Sequence, residues 1–172
     1  MMRFAVVTLS DRAVRGERAD ASGPLLRQLI EEGTGGECVA ALVLPDDREE
    51  IELALCRLAD VECCDLVATT GGTGLAPRDV TPEATLAVIE REVPGMAEAM
   101  RAGGRDKTPM AMLSRAVCGI RGRTLIVNLS GSPKAVREQL EVLLPVLPHA
   151  LATLRGEVGD CKEALGGADA PG

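Results

Sequence analysis

The sequence predicts an α/β fold of three layers, α/β/α, with helices covering both faces of a mainly parallel central sheet. Three observations predict it. The runs Arg3–Leu9, 65–69 and Thr124–Leu129 are apolar on both faces, as strands enclosed by helices on either side must be. Each is followed by small and polar residues, and then by apolar residues recurring at helical spacing. The alternation continues along the chain without a repeat or a linker, so crossover connections and a ligand cleft at the carboxyl ends of the strands are expected.

Taken in order, the first strand ends in Ser10-Asp11-Arg12, and a long polar loop leads to Ser22. A loop of that length at a strand's carboxyl end is a candidate binding element. Leu25, Leu26, Leu29 and Ile30 mark one face of a helix that glycines after residue 32 stop. Residues 38–44 form a second strand, closed by Pro45. Asp46 or Asp47 then opens a helix with Ile51, Ala54, Leu55 and Leu58 inward. Asp46 admits two readings, the cap of that helix or an acidic partner to Asp79 around a metal.

The third strand runs into Thr69-Thr70-Gly71-Gly72-Thr73-Gly74, then Arg78-Asp79-Val80-Thr81-Pro82. Three glycines in four residues let the backbone bring its N–H groups close to an anion, so this is read as a phosphate-gripping turn to which Thr73 adds a hydroxyl. Thr81 is expected to cap a helix over residues 82–93 that starts at Pro82 and carries Glu83 in its first turn. A carboxylate beside a phosphate loop repels phosphate unless a cation intervenes, so Asp79 implies a divalent metal or a hydroxyl to deprotonate. Its plainer reading is a turn cap.

Pro94-Gly95 is expected to break that helix, with a second piece over residues 96–102 burying Met96, Ala97 and Met100. Thr108-Pro109 starts a short helix to Ala116, and residues 119–122 read as a turn. The strand Thr124–Leu129 ends in Ser130-Gly131-Ser132-Pro133-Lys134, a second anion-holding geometry of flexible residues before a helix N-terminus. That helix turns Val136, Leu140, Leu143 and Leu144 inward. Ser10, Asp11, residues 71–79 and residues 130–134 should therefore meet around one cleft. Residues 1–155 are expected to form a single domain, and 156–172 a tail that frays.

Composition removes several function classes. A net charge of −7 with only three lysines argues against a nucleic-acid or anionic-membrane surface. Phe4 is the only aromatic residue, so stacking on single-stranded nucleic acid is not available. No apolar stretch reaches the length of a membrane span and no signal core is present, so a cytoplasmic location is expected. Six cysteines without a C-x-x-C pair, and one histidine, point to buried free thiols, with Cys161 the reactive one. Neither common nucleotide fingerprint fits the glycine loop.

Six spaced motifs nevertheless identify a family. Thr8-Leu9-Ser10-Asp11-Arg12, Leu44-Pro45-Asp46, the Gly71–Pro82 loop, Pro94-Gly95, Leu113-Ser114-Arg115 and residues 128–134 together resemble the MogA/MoaB family of molybdenum cofactor biosynthesis. The likeness covers residues 3–154 and is greatest to its adenylylating branch. It implies the molybdopterin-binding-like fold and a cytoplasmic homotrimer that transfers AMP from Mg-ATP to the terminal phosphate of molybdopterin, releasing pyrophosphate. The product would pass to a metal-insertion protein. It also implies catalytic roles for Asp46, Asp79 and Ser114, with Asp46 and Asp79 holding Mg2+. Asn128 and the Gly71, Gly72, Thr73, Gly74 loop would lie near substrate phosphates, together with Ser10, Asp11, Ser130 and Gly131. Ser114 also has a plainer reading, a hydroxyl bonded to its own backbone. Ser130 departs from the family's frequent proline, and residues 75–77 are a variable part of the loop. Without aromatics, the pterin would be recognised by polar and backbone groups against aliphatic walls. Two other readings share the motifs: a non-catalytic MoaB-type carrier of molybdopterin, and a CinA-like nucleotide module.

Overall fold

A computed structural model describes residues 1–157. The expectations for the tail beyond them, and for Cys161, lie outside the described residues. The sheet has six strands, β1 (Arg3–Leu9), β2 (Glu37–Leu44), β3 (Leu66–Thr70), β4 (Arg91–Glu92), β5 (Cys118–Arg121) and β6 (Thr124–Leu129), in the order β2-β1-β3-β6-β5-β4. The first four in that order are parallel, and β5 and β4 add an antiparallel edge.

Alternation along the strands fills both layers. Phe4, Val6, Leu66, Ala68, Leu125 and Val127 point to one side, onto α2 (Ser22–Thr34), α5 (Pro94–Arg105), α6 (Pro133–Leu143) and α7 (Leu147–Arg155). Ala5, Val7, Val67 and Ile126 point to the other, onto α3 (Arg48–Asp60) and α4 (Thr81–Val88). These residues are between 0 and 2% exposed, so the central strands are enclosed on both faces as their apolar runs require. A four-residue helix, α1 (Asp11–Val14), lies within the long loop after β1. Among the described residues all five cysteines are free thiols, and burial pushes Cys64 up to about 11 and Cys118 up to about 12, which keeps them unreactive.

The edge of the sheet corrects the expected helix over residues 82–93. α4 ends at Val88, because Ile89 is extended and the amides of Glu90 and Val93 donate to Ile120 and Cys118 across the sheet. Gly119 allows that approach, since a Cβ there would lie 2.4 Å from Ile89 Cδ1 and 2.9 Å from Arg91 O, so it serves a strand and not a turn. Pro94 starts α5 instead of ending a helix. Thr108 does cap its segment, which is a 3-10 turn (Pro109–Leu113). Thr81 is not the cap of α4: Val80 holds that position, and the Thr81 hydroxyl donates to Gly71 O at 3.0 Å.

Asp65 ties three elements at the opposite end of the sheet. It accepts from Arg3 N at 2.7 Å and from Arg155 Nε at 2.9 Å. Burial pushes its carboxyl up, but the Arg155 guanidinium and the Arg3 amide outweigh that and hold it below the usual carboxylate range. A lowered carboxylate stabilises above its unfolded pKa, and the contribution is lost as pH falls through the folded value. Asp65→Asn is therefore expected to cost about 1–2 kcal/mol at pH 7, by urea denaturation, with the difference shrinking below about pH 4.

Candidate active site

Four strand ends meet at one rim of the sheet. The segments after β1, β2, β3 and β6 bring Ser10, Asp11, Asp46, Gly71, Gly72, Asp79 and Gly131 to the border of a single cleft of about 440 Å3. The N-termini of α2 and α6 open into it through Ser22 and Ser132. Asp20 organises the first of these ends: one carboxylate oxygen accepts from Ser22 N at 3.1 Å and Gly23 N at 2.9 Å, and the other accepts from the Thr8 hydroxyl at 2.6 Å. Ser132 Oγ accepts from Ala135 N at 3.1 Å at the second. The α6 end, capped by a neutral hydroxyl, therefore presents positive potential to the cleft, whereas the Asp20 carboxylate already compensates the first amides of α2.

Asp11 and Asp46 clasp the loops after β1 and β2 reciprocally. Asp46 Oδ2 accepts from Asp11 N at 3.0 Å, and Asp11 Oδ1 accepts from Asp46 N at 3.0 Å. Arg78 reaches over from the glycine loop and donates to both oxygens of Asp11, at 2.9 and 2.8 Å. Capping of α3 falls to Asp47, whose side chain accepts from Glu50 N at 3.1 Å. Asp46 is thus free of the capping duty that could have explained it, and its second oxygen faces Gly72, where a Cβ would stand 3.1 Å away. The Arg78 hydrogen bonds hold the Asp11 carboxyl below its ordinary range. Burial pushes Asp46 up, and the charges of Asp11 and Asp79 push the same way against the hydrogen bond from the Asp11 amide.

The glycine turn owes its shape to crowding. Gly71 has φ +104° and Gly72 φ +62°. A Cβ on Gly71 would lie 2.3 Å from Leu9 O, and one on Gly72 2.3 Å from the Thr81 hydroxyl. The Gly71 amide donates to Leu129 O at 3.1 Å, so Gly71 serves the cleft by letting backbone pass and not as an N–H donor to a ligand. Asp79 Oδ2 accepts from Ala76 N at 2.9 Å while the residue borders the cleft. Asp79 thus closes the turn, as its plainer reading has it, and lines the same cleft as Asp46, whose carboxyl feels its charge.

The expected residues do not all reach this border. Thr73 is buried, and the carbonyls of Thr73 and Gly74 are held from behind by Arg115. The Ser114 hydroxyl accepts from Ala116 N at 3.3 Å, the local backbone bond of its plainer reading. Ser130 is engaged by Gln139, which accepts from its amide at 2.9 Å and donates to its hydroxyl at 3.0 Å. Asn128 departs most from expectation. It is 0% exposed, accepts from Val117 N at 3.2 Å, and donates to the hydroxyls of Thr69 and Thr85 at 3.0 and 2.9 Å. A side chain so enclosed and satisfied joins β6, β3 and α4 and is not on the border of the cleft. The sequence reading missed Arg15, Arg18, Asp20 and Ser22, which border the cleft with Arg12. Arginines at three-residue intervals after a buried strand were the available signal.

The family model described as "Probable molybdopterin binding domain" matches residues 5–149. This chain belongs to that family. The molybdopterin adenylyltransferase of Escherichia coli K12 is 46% identical over 142 residues, 81% of this chain and 72% of that protein. The molybdenum cofactor synthesis protein cinnamon of Drosophila melanogaster is 43% identical over 90% of this chain, which spans only 26% of cinnamon's length. The crystal structure of the molybdopterin biosynthesis enzyme MoaB from Thermus thermophilus superposes with a TM-score of 0.86 at 53% identity, covering 91% of this chain and 98% of that one.

Within the molybdopterin-binding domain, the state of Asp46 has a stability consequence. A carboxyl whose folded pKa is raised lowers stability once ionised, and that penalty vanishes below its unfolded pKa. Asparagine can still accept from the Asp11 amide but carries no charge. Asp46→Asn is therefore expected to raise the melting temperature by about 1–3 °C at pH 7 and leave it unchanged at pH 3, by calorimetry without ligand. Among the described residues, no helix is long and apolar enough to cross a membrane.

Proposed function

We propose that this chain is a molybdopterin adenylyltransferase, joining AMP from ATP to the terminal phosphate of molybdopterin. Relatives bearing that name support the reaction. The observation that carries it to this site is the presence of both Asp46, freed from capping, and Asp79 on a cleft that also receives two helix N-termini and three arginines. In the transfer, an oxygen of the molybdopterin phosphate forms a bond to the α-phosphorus of ATP. The bond from that phosphorus to the bridging oxygen breaks, and its electron pair leaves with pyrophosphate.

A phosphate monoester is already largely dianionic at pH 7, so the nucleophile needs no general base. What opposes the reaction is the approach of two polyanions, and catalysis here is positioning and charge compensation. The α6 N-terminus, Arg12 and Arg18 supply positive potential along the cleft, while Arg15 is paired with Glu17 and Asp20 occupies the first amides of α2. The glycine turn lets the backbone come close to the triphosphate. Asp46 and Asp79 are acceptors only, and each would repel phosphate by itself.

Those two carboxylates fit Mg2+. Among the described residues no three acidic, cysteine or histidine side chains gather as a metal cage. Mg2+ is commonly held by one or two carboxylates with substrate phosphates and water, so a two-carboxylate site facing a polyphosphate suits it. When bound, the ion would neutralise developing charge on the phosphates.

The proposal includes a cytoplasmic homotrimer of a single domain over residues 1–155, with the product passed to a metal-insertion protein. The test is incubation of the pure protein with molybdopterin, labelled ATP and Mg2+. Adenylylated pterin and pyrophosphate are expected in equal amounts. Tight pterin binding without AMP transfer would replace the enzyme by a MoaB-type carrier, and the solution mass would decide the trimer.

A further inference from the structure

Arg115 lies behind the glycine loop, on the segment between the 3-10 turn and β5. Its backbone N–H donates to Thr73 O at 2.9 Å, and its Nε donates to Gly74 O at 2.7 Å. One terminal nitrogen donates to Asp79 O, and the other meets the Glu83 carboxylate. A single planar fork thus grips the end of the glycine turn, the residue carrying the cleft carboxylate, and the first turn of α4. Lysine carries its three donors on one nitrogen and cannot span acceptors that the three guanidinium nitrogens reach separately. The segment bearing Arg115 is itself held, since Arg101 on α5 donates to Ser114 O at 3.4 Å and Ala116 O at 3.1 Å. Among the described residues the other oxygen of Glu83 has no hydrogen-bond partner, and Arg115 is the group that hydrogen-bonds this carboxylate, with the charge of Arg48 adding to it.

We infer that Arg115 is a positioning residue: its guanidinium holds residues 74–83 in one conformation and so sets the Asp79 carboxylate at the cleft. It lies behind the loop and acts through Asp79, without touching substrate. The catalytic consequence rests on the adenylyl-transfer reading, whereas the loop-holding consequence does not.

The test compares the full chain with Arg115→Lys, with Arg115→Gln judged by the same criteria should the lysine variant misfold. Amide hydrogen exchange across residues 74–83 is expected to quicken about tenfold or more, while amides of β1, β3 and β6 stay within about twofold. AMP transfer should lose about ten- to a hundredfold in kcat, with KM for molybdopterin within about threefold. In a double-mutant cycle, Arg115→Lys added to Asp79→Asn should lower the rate little further, because both act through one carboxylate. Unchanged exchange in the loop, exchange raised through the whole sheet, or additive losses in the cycle would each overturn the inference. A wild-type protein that transfers no AMP would sink the functional reading instead, and loop exchange alone would then decide Arg115.

Discussion

Asp79→Asn is expected to lower AMP transfer by roughly two orders of magnitude or more, the scale of losing a group that positions a metal. The substitution separates the two duties the residue performs. Asparagine keeps the shape and can still accept from Ala76 N, so the turn over residues 76–79 should stay closed. Only the charge that the Asp46 carboxyl feels is removed. The melting temperature and molybdopterin affinity should therefore remain near wild type while kcat collapses. An independent readout accompanies this: the Asp79 charge is one of the influences raising the Asp46 carboxyl, so Asp46 should titrate at lower pH in the variant, by carboxyl-observed NMR. A variant that unfolds, or that transfers AMP at the wild-type rate, would show that the turn cap was the whole of Asp79's role.

The second large effect is on the scaffold. Gly71→Ala is expected to cost about 3 kcal/mol or more in urea denaturation, enough to endanger folding of a chain this size. Gly71 sits at φ +104°, a conformation closed to alanine, and its Cβ would lie 2.3 Å from the carbonyl oxygen of Leu9 and 3.3 Å from its carbon. Neither atom belongs to a flexible side chain, so relief requires β1 and β3 to part at the ends that build the cleft. Gly131 crowds the same point, since a Cβ on it would stand 3.2 Å from Gly71 Cα. Gly16 provides the control. It also has positive φ, +70°, but nothing lies within 4 Å of its Cβ, so Gly16→Ala should cost only about 1 kcal/mol. Equal losses at the two positions would mean that backbone conformation, and not the meeting of three backbones, makes Gly71 necessary.

Much of this arrangement was legible before the structure. The four parallel strands announced themselves by apolar runs, and the loops after the first, third and last do meet with Asp46 at one cleft. The antiparallel edge was not legible. Residues 89–93 carry no strand pattern of their own, and they are extended because Ile120 and Cys118 present carbonyls to their amides. Gly119 looked like a turn residue, yet its missing side chain admits Ile89. Asn128 and Ser130 stand next to the cleft in sequence but are consumed by internal hydrogen bonds, and polar residue type alone does not distinguish a donor to a ligand from a donor to the core.

The sequence by itself determined the α/β class, the family and which strand ends border one cleft, because apolar period, helix-start chemistry and glycine spacing are local properties of neighbouring residues. Which carboxylates face the cleft was decided only by the tertiary structure. Asp46 and Asp47 are adjacent and chemically identical, and the difference between them is the amide each finds. Asp47 meets its own helix at Glu50, whereas Asp46 meets Asp11, 35 residues away on another loop. Arg115 illustrates the same point, since its hold on Gly74 and Asp79 spans 41 and 36 residues of chain and exists only once β5 has been laid beside β6.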